Sequence, residues 1–409
     1  MQQQTIAQSS DFRPGAAERR IDLDWVRIAA FGLLIFYHVG MLYVSWGFHI
    51  KSAHRITALE PLMLVLNPWR LALLFLVSGV ATRFMLRKYA LGPLLRSRSA
   101  RLLIPLVFGM LVVVPPQSYE QIVEALGYPA GFVDFYLQHY LAFGSQFCPN
   151  PCIVMPTWNH LWFVVYLWVY TMALGAVLAA VPGLVEWVER KLAATLSGAL
   201  LLVVPPLVFA TYRLILFPNF HSTHALFGDW YNHAQFATVF LLGFLLARVD
   251  AFWNAIERQR WLALFLAVVF YLSFLAVWSI GAGTQHTPLL RLYGGFAYGA
   301  YQWLCLVAVL GFARRWLTAD SAARRYLTDA IFPYYIVHQT AIIMIAHALH
   351  GEDLPAWLEA GIVTSGTAAI CVLTYEVIRR VPVLRPLFGL KLGVSRPSMP
   401  VRASSQPAQ

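Results

Sequence analysis

The sequence predicts an all-α fold, a polytopic membrane helical bundle of about ten transmembrane helices. Three observations lead there. Of 409 residues, 59% are hydrophobic and only 12% charged, with a mean hydropathy of +0.62, which is more apolar than a soluble chain of this size carries. Apolar runs recur at the ~17–25 residues that a bilayer crossing requires. Lys and Arg gather in short clusters between alternate runs, as they do in loops held on one side of a membrane. The formal charge of +11 is therefore spread over loops rather than concentrated in one basic domain, so no nucleic-acid partner is expected and the lipid bilayer is the first partner required.

Residues 1–20, MQQQTIAQSSDFRPGAAERR, contain no apolar core of signal-peptide length and are expected to be a disordered cytoplasmic N-terminus. The run after them is long, studded with polar residues and without an evident small-residue cleavage site, so it is retained as a helix. Spanning runs fall at about 23–45, 63–84, 102–116, 160–181, 196–216, 233–248, 261–281, 296–313, 328–349 and 358–379. The third and sixth are the shortest. Between the second and third stand Arg83, Arg87, Lys88, Arg96, Arg98 and Arg101, and between the eighth and ninth Arg314, Arg315, Arg324 and Arg325. Arg379, Arg380, Arg385 and Lys391 follow the last run. The connections 117–159, 217–232, 282–295 and 350–357 are poor in Lys and Arg, so the positive-inside rule predicts a multi-pass protein of the inner (plasma) membrane with both termini cytoplasmic. The 117–159 loop is then the largest feature outside. Residues 21–392 form one transmembrane domain, and the polar, Pro/Ser-rich 393–409 is expected to be a disordered cytoplasmic tail. There is no fixed-period repeat, no inverted pair of interrupted helices and no pattern that specifies an oligomer.

The first run carries Asp24-Trp-Val-Arg27 and, further on, Phe36-Tyr37-His38. At ~100° per residue the step from Arg27 to His38 closes to within ~20° of three full turns, and Asp24 falls on nearly the same face. The two basic side chains are then ~16 Å apart along the axis. Ionisable groups inside hydrocarbon are expensive and mark function, against the plainer account of a snorkelling Arg and a hydrogen-bonded core His. In the second run Arg70 has apolar residues on its inward side and needs a cavity or counter-charge, unless it snorkels at the outer edge. Ser78-Gly79 reads as a close helix contact. His160, in Trp158-Asn-His160-Leu-Trp-Phe, stands where a substrate would enter from outside, although the aromatics around it also suit an interfacial belt. In the ninth run, Asp329 and Phe332-Pro-Tyr-Tyr-Ile-Val-His338-Gln339 bring a second imidazole to mid-membrane depth, costly for packing alone. His347 and His350 read as interfacial.

Other chemistries are disfavoured. His221, His224, His233 and His286 form no zinc-like spacing, and no metal site is predicted. There is no GxxxxGK[ST], GxGxxG or GxSxG motif, which argues against classical nucleotide hydrolysis and serine-hydrolase chemistry. Cys148 and Cys152, in Cys-Pro-Asn-Pro-Cys, would make a small local disulfide on an oxidising side, with two prolines working against the geometry. That pair reads as structural, and Cys305 and Cys371 lie in apolar runs.

An imidazole titrating near pH ~6.5 can take and return a proton, and a buried Arg can hold a phosphate or carboxylate or stabilise an oxyanion. Together they suit acyl transfer from an anionic activated donor inside to a hydroxyl outside. The same buried Asp, Arg and His would also serve the proton relay of a polytopic transporter or exporter.

Five motifs in order carry a resemblance. Leu23-Asp-Trp-Val-Arg27 with His38, Arg70 with Phe75-Leu-Val-Ser78-Gly79, Arg101-Leu-Leu-Ile-Pro105, His160-Leu-Trp-Phe and Tyr335-Ile-Val-His338 resemble acyltransferase family three, polytopic O-acyltransferases that modify surface and periplasmic glycans. The likeness covers about residues 20–392. It implies an acyl-CoA donor used as substrate, no permanently bound cofactor, and a glycan acceptor outside. Residue by residue, it implies that His38 is the essential catalytic histidine, that Arg27 is its paired basic residue beside Asp24, and that Arg70 and Arg101 contact the donor. His160 and His338 complete the expected binding set, with His38, Arg70 and His338 lining one cavity. The ending Tyr375-Glu-Val-Ile-Arg-Arg-Val-Pro-Val-Leu-Arg-Pro-Leu-Phe388 is similar to that of the branch associated with succinylation of glucans, which implies succinyl as the group moved. Many members carry Trp-Ser-Leu and then a Glu in the fourth run; here Trp162-Phe-Val-Val-Tyr has no acid.

Overall fold

The computed structural model describes residues 20–148, 152–181, 183–281 and 287–392. The expected N-terminal arm (Arg20 apart), the tail 393–409 and His286 lie outside the described residues. The described residues are 77% helical with almost no sheet, the polytopic α-bundle expected from the apolar runs.

The helices are α1 (Ile21–Gly40), α2 (Glu60–Leu66), α3 (Arg70–Leu86), α4 (Leu91–Phe108), α5 (Pro115–Leu126), α6 (Phe132–Gln138), α7 (Trp162–Ala180), α8 (Leu184–Leu196), α9 (Val204–Ile215), α10 (Trp230–Leu246), α11 (Asp250–Gly281), α12 (Pro288–Trp316), α13 (Ala322–Ala348) and α14 (Ala356–Arg380). Among the described residues eight helical segments are long and apolar enough to cross a membrane, or nine when the bent α8–α9 pair is counted as one span. The apolar α10, where a further run was expected, is 17 residues long and falls just short of that length. Local chemistry sets several boundaries. Ser321 caps α13 by accepting from Arg324 N, and Thr287 caps α12 ahead of Pro288.

Two expected elements differ in extent. The third run is the middle of a 36-residue helical path, Leu91–Leu126, in which α4 passes through a π turn at Gly109–Val113 into α5. The Arg-rich stretch before it is therefore helix, and the first part of the 117–159 connection is α5. That connection also contains α6 and an antiparallel hairpin, β1 (Gly144–Phe147) with β2 (Ile153–Met155), beside which Cys148 and Cys152 are disulfide-bonded despite the intervening prolines. The fifth run, 196–216, holds α9 and the turn before it, and between Leu196 and Ala199 the chain bends by 90° away from the preceding α8, whose Trp187 is exposed.

The close helix contact expected at Ser78-Gly79 is present. A Cβ on Gly79 would stand 2.0 Å from the Phe240 carbonyl oxygen, and one on Gly243 2.0 Å from that of Leu76, so α3 and α10 approach backbone to backbone. Phe75 fills the space beside this crossing, its ring centroid 4.4 Å from Phe163 and 4.8 Å from Phe236. Hydrocarbon solvates an apolar side chain as well as a protein interior does, so close van der Waals packing of this kind is what holds such helices together.

The bundle has two unlike faces. The start of α1 and α4 and the end of α14 share a basic face. Beyond α14 the turns Pro382–Leu384 and Pro386–Phe388 fold back over it, with Phe388 packed on Phe108 at 5.2 Å and Gly389 supplying the positive φ (+72°) the return needs. The end of α1 and the starts of α3, α7 and α10 share the opposite face, called here the far face.

Candidate functional site

His38 sits in the last turn of α1, and its Nδ1 lies 3.0 Å from Nε2 of His338 on α13, with the rings stacked at 5.1 Å. His338 Nδ1 lies 2.7 Å from the Tyr335 carbonyl oxygen. A carbonyl only accepts, so His338 carries its proton on Nδ1 and its Nε2 must accept from His38 Nδ1–H. That leaves the lone pair of His38 on Nε2.

The neighbouring imidazoles are committed. His160 donates from Nε2 to the Ile336 carbonyl at 3.0 Å, so its Nδ1 accepts from Gln117 Nε2 at 3.3 Å. His49 donates from Nδ1 to Gln121 Oε1 at 2.7 Å, and its Nε2 accepts from Gln339 Nε2 at 2.9 Å. Gln117 joins these groups: Nε2 also donates to Thr340 Oγ1 at 2.6 Å, and Oε1 accepts from Asn159 and Gln339, each at 3.1 Å. Thr340 Oγ1–H in turn donates to the Val113 carbonyl in the π turn at 2.8 Å. Of the ring nitrogens of His38, His49, His160 and His338, only His38 Nε2 has no hydrogen-bond partner among the described residues.

His38 borders a far-face cavity of about 410 Å³ that is also lined by Tyr37, His49, Arg70, His160, Trp162, Phe163 and His224. Arg70 is 4% exposed, and its guanidinium carbon lies 3.3 Å from the centre of the Tyr37 ring. Its Nε and Nη1 have no acceptor among the described residues. A buried cation with unspent donors is costly unless a negative group arrives to use them.

A second cavity, of about 420 Å³, opens on the basic face, where Arg27, Arg98, Arg101, Arg385 and Lys391 line it with Asp329 as the acid. Phe163 borders both cavities. The two ends of α1 thus serve different chambers, with Arg27 in the basic one and His38 in the far one. Asp24 pairs with the buried Arg324 of α13, which also holds Asp320 at 2.8 Å.

The structure brings His38, Arg70 and His160 to one cavity. His338 stands behind His38 and does not border that space. Arg27 and Arg101 meet in the basic cavity, a helix length from His38. Sequence reasoning missed Gln117, which follows two prolines at the end of a short run and looks like loop, and His49, which lies between two runs. Arg98 and Arg385 appeared only as members of loop clusters; the basic periodicity Arg98, Arg101 was their one available signal.

A family model described as an acyltransferase domain matches residues 20–376. Among curated proteins the chain is similar to the glucans biosynthesis protein C of Escherichia coli K12, at 24% identity over 399 residues, 94% of this chain and 97% of the relative. The protein of that name from Escherichia coli O81 (strain ED1a) matches at the same identity and coverage. No solved structure matches significantly.

Proposed function

Because the chain belongs to this acyltransferase family, we propose that it is a membrane O-acyltransferase moving an acyl group from a cytoplasmic acyl-CoA to a hydroxyl of a periplasmic or cell-surface glycan, with His38 as general base. The family makes it an acyltransferase for groups other than amino-acyl groups, and its similarity to glucans biosynthesis protein C supports a glycan as acceptor. The single observation that carries the His38 assignment is the free Nε2 lone pair on a ring that borders the far cavity.

In this reading His38 Nε2 takes the proton of a sugar hydroxyl as its oxygen attacks the thioester carbonyl carbon. The carbonyl oxygen becomes an oxyanion beside the unspent N–H groups of Arg70. Collapse breaks the carbon–sulfur bond and leaves an ester on the sugar, and the leaving thiolate recovers the proton from His38. The basic cavity, with Arg27, Arg98 and Arg101, suits the donor's phosphates, and the donor's thioester arm would pass Phe163 to reach Arg70. Asp24 serves at one remove, by fixing α1 against α13 through Arg324. His160, with both nitrogens spent, holds the cavity wall rather than moving a proton. The positive-inside rule sets the basic face in the cytoplasm and the far face, with its disulfide hairpin, outside. Succinyl is the acyl group assigned, on the resemblance of residues 375–388.

The test is reconstitution in liposomes with labelled acyl-CoA and a glucan acceptor. Label bound covalently to the acceptor is expected, and its loss in a correctly inserted His38→Ala variant. Wild-type transfer by that variant would overturn the base assignment, and acceptor movement without modification would make the protein a transporter.

A further inference from the structure

A third cavity, of about 310 Å³, adjoins the far-face cavity and shares Asn67, Leu71 and His224 with it. Its chemistry is different. Trp46 and Trp278 present indoles to it, and Gln235 and Asn232 present planar amides. Arg213 completes the lining, its guanidinium carbon 3.4 Å from the centre of the Phe217 ring and 4.3 Å from that of Tyr298. Among the described residues Arg213 has no carboxylate partner; aromatic faces and the side chain of Tyr231 hold it in place.

The amides are fixed before anything binds. Asn232 donates to Asp229 at 2.8 Å and to Ser222 at 2.6 Å, and its oxygen accepts from Gln235 Nε2 at 2.7 Å. Gln302 then donates to Gln235 Oε1 at 2.9 Å. This ladder sets Gln235 in one rotamer and leaves it one amide proton to offer. Rigid aromatic faces and a few oriented polar groups in a space within the ~300–1,000 Å³ of small-molecule sites are what a pyranose needs: rings for its C–H faces, and an amide and a guanidinium for its hydroxyls.

We infer that this side chamber is a saccharide subsite that holds the sugar units next to the one being acylated. The inference rests on the acyltransfer reading for its use, and makes the acceptor an oligosaccharide or longer glycan. His224, whose ring stacks on Trp162 at 4.3 Å, stands on the wall shared by the two spaces, where a glycan would pass from the subsite to His38. A monosaccharide would fill only the far cavity and gain nothing from the side chamber.

The experiment has two readouts on full-length protein in nanodiscs. First, calorimetric binding of a panel of α- and β-linked glucose tetrasaccharides is compared with methyl glucoside in the absence of donor. At least one tetrasaccharide is expected to bind tenfold or more tightly than methyl glucoside, and Trp278→Ala and Arg213→Gln should each abolish that advantage. Second, transfer from acyl-CoA is expected to show a raised KM for that tetrasaccharide in both variants, with transfer to methyl glucoside unchanged, which also shows that the variants are folded. No tetrasaccharide preference in the wild type, or a preference that survives both substitutions, overturns the subsite. Tetrasaccharide binding lost in the variants, without any acyl transfer by the wild type, would uphold the subsite and sink the transferase reading instead.

Discussion

A histidine acts as a base only through a nitrogen whose lone pair is not already engaged, and in the far-face network that condition selects one atom. His338 holds the partner nitrogen of His38 and so fixes which tautomer meets the substrate. His338→Leu should remove that control and lower kcat by ~10²–10⁴-fold, the range for losing an oriented acid–base group, with little change in donor KM. His338→Gln, which can still accept from His38 Nδ1–H through its side-chain oxygen, should retain more; equal losses in the two variants would refute a role in setting the tautomer. Arg70→Gln should cost ~10²–10³ in kcat, as removal of an oxyanion donor does. A loss confined to acceptor KM would place Arg70 in ground-state binding. His49, in the loop after α1, supplies a pH test. Burial lowers its pKa, so as pH falls through ~6.5 the unfolded chain takes up the proton before the folded one. The stability tied to a neutral His49 is therefore complete above that pH and is lost below it, and thermal melts of His49→Gln should fall less steeply on the acid side than those of the wild type. At this scale the sequence exposes the costly groups, His38, Arg70 and His338, because hydrocarbon makes each conspicuous. It does not show their order: that His338 stands behind His38 and that Gln117 ties the walls together depend on contacts between distant helices.

Helices in a bilayer associate by fit, so the approach of α3 to α10 tests the bundle directly. Gly79→Ala places a methyl group against the Phe240 carbonyl, and backbone cannot give way as a side chain does. Overpacking of this kind costs ~1–3 kcal/mol or more, and the variant should melt earlier in detergent. Gly32→Ala, on α1, meets nothing within 4 Å and should be neutral or slightly stabilising, since Gly in a helix costs ~1 kcal/mol against Ala. Equal melting shifts would refute a tight crossing. The existence of the passages was legible because apolar length is a strong signal, and Ser78-Gly79 was legible because small residues permit contact. Extents were less so. Arg96, Arg98 and Arg101 read as part of the connection between two runs, yet α4 is continuous there, because Arg98 and Arg101 face a cavity rather than lipid. The bend between α8 and α9 falls at Ser197-Gly198, where the chain turns by 90° from a helix carrying Glu186, Glu189, Arg190 and Lys191 into the apolar run.

For the whole molecule, the two principal chambers belong to opposite faces and have the ring of Phe163 in common, so in the proposed reaction this residue stands where donor and acceptor would meet. A transferase that exposes a thioester to the outside has to exclude water until the acceptor arrives. Phe163 is 7% exposed and braced by Phe75, an arrangement suited to a plug that the donor arm displaces. Phe163→Ala should open that passage: hydrolysis of acyl-CoA without acceptor should rise severalfold while donor affinity, set by the arginines of the basic cavity, stays within about twofold, an expectation that follows from binding and chemistry lying in different chambers. Phe163→Trp should do the reverse, lowering transfer and hydrolysis together. Arg98→Gln supplies the complementary measurement, because it should raise donor KM and weaken its dependence on salt while leaving the hydrolysis-to-transfer ratio unchanged. If Phe163→Ala instead weakened donor binding without raising hydrolysis, the ring would be a wall of the donor site, and the division of labour between the two faces would have to be drawn elsewhere.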